Sequence, residues 1–153
     1  MSRAPDTIRL GAWHQVAVYG VTAALAVSGL AWLIYHFFVS VPGDFGPQIH
    51  PMESWMVRLH GAAAMAGLIV YGSLLPIHIR RAWALRRNIV LGVGLLTLML
   101  SLTVTGYLLY YAGGEESRPV ISALHWAPGL AVPAVVAWHV TSGRLQSRAC
   151  ASP

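Results

Sequence analysis

Seven histidines stand in a chain of 153 residues that carries only five acidic residues and one cysteine. Imidazole is the side chain best suited to ligate a transition metal or to pass a proton near neutral pH. Two of the seven, His125 and His139, lie fourteen positions apart in an apolar stretch. In an α-helix that spacing brings the side chain back within ~40° of one face and separates the two rings by about 21 Å. One helix then presents an imidazole near each surface of a membrane. Two stacked haems in one bundle require this arrangement, and each iron needs a second imidazole at matching depth.

Depth along ideal helices selects the partners. His60 sits about as far into its stretch as His125 does, which makes His60 and His125 the outer pair. His14 opens the first stretch at the surface where the stretch of His139 ends, which makes His14 and His139 the inner pair. His78 lies about 27 Å beyond His60 and overshoots the His139 level by roughly 6 Å. It is read as an interface residue, a quinone contact or a swapped ligand. His36 overshoots the outer level by roughly 12 Å, and His50 falls in a loop, so neither is assigned a ligand role. Small residues suit a porphyrin edge or a close helix contact equally. They are Ala63, Ala64 and Gly67 after His60, Gly129 after His125, and Ser28 with Gly29 at the expected outer level. Arg58 and Arg118 would meet the outer propionates, because guanidinium matches carboxylate. Thr97, Ser101 and Thr105 form an i, i+4 stripe read as contact between helices.

Four apolar stretches must position these rings: about 13–38, 55–79, 89–111 and 120–140. A bilayer core needs ~20 apolar residues in a helix. The expected fold is therefore all-α: one integral-membrane domain over residues 1–153, a four-helix bundle running up-down-up-down. The ten basic residues are all arginine. Eight of them (Arg3, Arg9, Arg80, Arg81, Arg86, Arg87, Arg144, Arg148) fall on one side of the spans. Asp44, Glu53, Glu115 and Glu116 fall on the other. The positive-inside rule puts both termini in the cytoplasm of a bacterial inner membrane. Trp13, Trp55, Trp83, Trp126 and Trp138 lie near span ends, where aromatic belts form. The net charge of +5 is thus a matter of orientation, and no nucleic-acid partner is expected. Pro128 and Pro133 are expected to kink the fourth span, and Ser117 to start it. One cysteine, Cys150, excludes an internal disulfide or a four-cysteine metal site. The absence of a C-x-x-C-H run excludes covalent haem.

Trp13-His14, Leu59-His60-Gly61 and Leu124-His125-Trp126 with His139 are the motifs that carry a family likeness. At these residues the chain resembles the superfamily of cytochrome b561 and the cytochrome b (gamma) subunits of formate dehydrogenase and hydrogenase. That resemblance implies a four-helix membrane subunit with two b haems, the fourth helix giving one ligand to each. It implies His14 with His139 and His60 with His125, the pairs that depth selects.

Two haems spanning a bilayer form a path for electrons. No soluble domain is expected in the chain, so a lipid-soluble quinone is the expected partner at one end and a periplasmic electron-transfer or catalytic subunit at the other. Membrane lipid surrounds it, and oligomeric state is left open. The expected function is an electron-transfer subunit of a quinone-linked oxidoreductase. The quinone is expected near Gln15, His78 and Arg80, where the neighbouring arginines would keep His78 neutral by charge repulsion. Two rival expectations are a stand-alone oxidoreductase that moves electrons from superoxide to quinone, and a haem-free membrane anchor.

Overall fold

The computed structural model describes residues 10–86, 88–112 and 114–149. Arg3, Arg9, Arg87 and Cys150 lie outside the described residues. Five α-helices and a two-stranded ribbon follow in the order α1 (Ala12–Phe38), β1 (Ser40–Val41), β2 (Gln48–Ile49), α2 (Pro51–Leu74), α3 (Arg80–Ala84), α4 (Ile89–Tyr111) and α5 (Arg118–Ala149). A π-helical turn, Leu75–Ile79, joins α2 to α3. Four of the helices, α1, α2, α4 and α5, are long and apolar enough to cross a membrane. The shortest of them, α4 with 23 residues, spans about 35 Å at 1.5 Å per residue, more than a ~30 Å hydrocarbon core.

Their surfaces fit an apolar solvent. Val18, Val132 and Val136 are the buried hydrophobic side chains among the described residues. Ile69, Val90 and Tyr110 are 75%, 85% and 78% exposed. In water so much bare apolar surface would drive association, and a multi-pass membrane protein is what these helices describe. Trp13, Trp55, Trp83 and Trp138 are all exposed. Tyr107, Tyr110 and Tyr111 cluster at the end of α4 with ring centres 4.7 and 5.0 Å apart, as an interfacial aromatic group would.

The chain divides into two compact units, residues 14–72 and residues 73–149 with the segment through Trp13. In the first, α1 and α2 form an antiparallel pair. Thr22 donates to the Val18 carbonyl at 2.7 Å, which uses its one proton, so the Tyr71 hydroxyl 2.7 Å away donates to Thr22. Gly67 is buried there: a Cβ on it would lie 3.1 Å from Val21. The connection folds into a ribbon with Ser40 opposite Ile49 and Val41 opposite Gln48. Gly46, at φ +115°, closes its turn through a bond to the Gly43 carbonyl, a conformation that favours glycine. In the second unit, α4 and α5 form the antiparallel pair, with Leu102 against Gly129.

Some boundaries differ from the sequence reading. The second span starts at Pro51 instead of 55, because the His50 imidazole accepts the Met52 N–H at 3.1 Å and its carbonyl accepts the Glu53 N–H. Its α-helix stops at Leu74, since Pro76 has no N–H to offer and its ring clashes with the turn before. Residues 80–84, between the second and third expected spans, are helical, and Arg86 at φ 50° follows them. The last helix, with Pro128 and Pro133 inside it, runs on to Ala149. Ser117 turns its hydroxyl back to the Gly114 carbonyl at 3.3 Å.

Candidate functional site

Each helix pair holds a histidine by the same device. In the first unit Ser28 is buried on α1 and donates its single hydroxyl proton to the Ala24 carbonyl at 2.6 Å. The His60 Nδ1 on α2 lies 3.0 Å from the same oxygen. A hydroxyl has one proton and two lone pairs. With the proton committed, Ser28 accepts, and the imidazole must be the Nδ1–H donor. Gly29, the next residue, makes room for the ring: a Cβ there would lie 3.2 Å from His60 Cε1.

The second unit repeats this with different residues. Thr105 on α4 donates to the Ser101 carbonyl at 2.8 Å and sits 3.0 Å from the His125 Nδ1 on α5. A Cβ on Gly106 would lie 3.2 Å from His125 Cε1. Both rings are therefore assigned the tautomer with the proton on Nδ1 and the lone pair on Nε2. Metal-bound histidines commonly have this arrangement, the other ring nitrogen donating to a fixed acceptor.

His139 is held differently. Asn88 adopts the left-handed conformation that precedes α4, with φ 52° and ψ 32°. Its amide donates to the His139 carbonyl at 3.0 Å and faces His139 Nδ1 at 3.3 Å. A Cβ on Gly92 would lie 3.6 Å from the His139 ring. With an N–H aimed at Nδ1, the ring's own proton falls on Nε2. Facing it is His78, with ring centres 6.3 Å apart and planes at 72°. Ideal-helix depth put His78 roughly 6 Å past the His139 level, and the π turn carrying His78 departs from that geometry. Burial lowers the His78 pKa below its ordinary 6.5. Desolvation, instead of the arginine repulsion expected from sequence, is the cause.

The other sequence candidates are placed as follows. His14 and Gln15 are half-buried near the start of α1, and His14 belongs to the first unit while His139 belongs to the second. Arg58 lies over the Trp55 ring at 5.2 Å. Gly67 and Gly129 are covered by Val21 and Leu102, respectively, as close helix contacts. Arg80 is exposed at the start of α3. His36 pairs with Glu53 at 2.8 Å and stacks on Trp32, and His50 stacks on Tyr35, so both serve the outer connection.

Thr105, Gly106, Asn88 and Gly92 were not singled out from sequence as holding these rings. The available signal was a hydroxyl residue followed by glycine inside an apolar span, found at Ser28-Gly29 and again at Thr105-Gly106. Among the described residues no three His, Cys, Asp or Glu side chains converge on a metal position. A metal bound by protein side chains alone has no ligand set among them. Oriented single imidazoles fit a macrocycle that supplies the remaining donors. No protein-family model, curated protein or solved structure matches the chain.

Proposed function

We propose that the chain is a di-haem b-type cytochrome that moves electrons across a bacterial inner membrane. It works between a periplasmic redox partner and the quinone pool, as the membrane subunit of an oxidoreductase akin to the cytochrome b561 and formate dehydrogenase cytochrome b superfamily. The carrying observation is the shared setting of His60 and His125, each with Nδ1 3.0 Å from a hydroxyl whose own proton is already committed to a backbone carbonyl.

His60 and His125 would hold the outer haem and His139 one side of the inner haem, with His14 its partner by sequence depth. Bound haem supplies one-electron redox chemistry, and the protein tunes it through axial ligands and their hydrogen bonds. Ser28 and Thr105 keep each Nε2 lone pair available and stop the ring from turning. Gly29 and Gly106 let the helices close on the imidazoles and exclude water from Nδ1. Arg58, which lies over the Trp55 ring, would meet a propionate at the outer surface. Of the three inner-side groups read as quinone contacts, Gln15 and Arg80 keep that assignment, while His78 faces His139. The arginine distribution supports an up-down-up-down bundle with both termini inside.

The purified full-length chain should show b-type absorbance bands that sharpen on reduction. His60→Ala and His125→Ala should each remove the same half of the signal. Full-strength bands in both variants would overturn the reading. Rapid reduction of the lone chain by superoxide would favour the stand-alone oxidoreductase over the subunit.

A further inference from the structure

We infer that His78, on the π turn after α2, is the axial ligand opposite His139 on the inner haem. This rests on the di-haem reading and replaces His14 in that role. Three observations carry it.

The first is the ring separation. Two imidazoles joined directly by an N–H···N bond would have centres about 5 Å apart. Two imidazoles on opposite sides of one metal, each about 2 Å from it, have centres about 6.4 Å apart. His78 and His139 stand at 6.3 Å with planes at 72°. That is too far for a hydrogen bond between them and matches a ligand pair with one atom between.

The second is the backbone. An uninterrupted α-helix would bring His78, eighteen residues on, round to the His60 face after five whole turns. The π turn over Leu75–Ile79 breaks that alignment. Turns of this kind are uncommon and concentrate at functional sites. Pro76 supplies the local cause by withholding an N–H. The effect is to aim His78 into the α4–α5 unit, where His139 lies.

The third is partner status. A half-buried imidazole ordinarily finds a hydrogen bond. Among the described residues no hydrogen bond to the His78 ring is found, and its contact is the ring of His139. His139 is by contrast firmly oriented, by Asn88 on its carbonyl and Nδ1 and by Gly92 beneath the ring. With no third protein ligand at hand among the described residues, the pair suits a metal whose other four donors come from a porphyrin. Coordination at His139 Nε2 requires the ring proton to move from Nε2 to Nδ1 by exchange with solvent, which keeps the imidazole neutral while Asn88 retains its bond to the His139 carbonyl.

The test is a set of full-length variants, His78→Ala, His78→Met and His14→Ala. Each is measured for haem per chain, for carbon monoxide binding to the reduced protein, and for rescue by free imidazole. Carbon monoxide binds only where an axial position is open. His78→Ala should hold one haem, or two with one carbon-monoxide-reactive and restored by imidazole. His78→Met should keep two haems with the inner potential raised, since Met ligation raises it. His14→Ala should keep two haems inert to carbon monoxide. Two inert haems in His78→Ala would overturn the assignment, as would loss of the inner haem from His14→Ala. A wild-type chain without haem would instead defeat the functional reading beneath it.

Discussion

Replacing Ser28 with alanine removes one oxygen and should weaken haem retention at the outer level. Ser28 is only 6% exposed, so water cannot readily take the place of its hydroxyl. The hydroxyl bonds the Ala24 carbonyl at 2.6 Å and accepts from His60 Nδ1 at 3.0 Å. The Ala24 carbonyl can keep its helical bond, and the His60 ring, which also bonds the Leu25 backbone, loses its Ser28 acceptor. Losing one such hydrogen bond costs ~0.5–1.5 kcal/mol. The ring can recover part of that cost by moving its proton to Nε2, a tautomer that must give that proton up again before it ligates. Either way the ligating form is disfavoured. Outer-haem affinity should fall about 10–100-fold, the usual range for loss of a ligand's hydrogen-bond partner. The assay is haem transfer from the purified protein to an excess of apomyoglobin, followed by absorbance. Ser101→Ala is the control, because that hydroxyl bonds only the Leu98 carbonyl of its own helix and is exposed. Equal transfer rates for wild type, Ser28→Ala and Ser101→Ala would refute the reasoning.

Under the proposed di-haem reading, Thr105→Val should weaken haem retention through His125 as Ser28→Ala does through His60, in the same transfer assay. Gly29→Ala and Gly106→Ala each put a methyl 3.2 Å from a histidine Cε1, so they should shift or broaden the haem bands. Gly20→Ala, with nothing within 4 Å, should leave the spectrum unchanged and gain up to about 1 kcal/mol of helix stability. Asn88→Asp turns the donor beside His139 into an acceptor. It should move the ring proton to Nδ1, tighten the inner haem by about tenfold and lower its midpoint potential in a redox titration. Tyr71→Phe removes the bond to Thr22 and should cost about 1 kcal/mol in a detergent melt without altering haem content.

The four spans were legible because length and hydropathy alone decide them, and the third was placed at its observed ends, Ile89 and Tyr111. Ser28 and Gly29 were assigned to the level of His60 by helix rise, and their contact with that ring follows because α1 and α2 run straight enough for the arithmetic. Helix rise put His78 roughly 6 Å past the His139 level, and its contact with that ring was not foreseen because the arithmetic assumes an α-helix, whereas a wider turn follows Leu74 at Pro76. The signal was present in the proline, but the choice between a kink, a stop and a π turn depends on packing. Thr105 was seen as part of a polar stripe, and its histidine partner was not, since pairing requires knowing which face of α4 meets α5. Asn88 was hidden in a basic loop. Only its left-handed backbone turns the amide back onto His139.

The most direct measurement of the central claim is the haem content of the purified full-length chain by pyridine haemochrome, paired with low-temperature electron paramagnetic resonance. The account predicts about two extractable haems b per chain, both low-spin with two imidazole ligands and neither covalently attached. A haem-free chain, or a single haem that persists in both His60→Ala and His139→Ala, would contradict it.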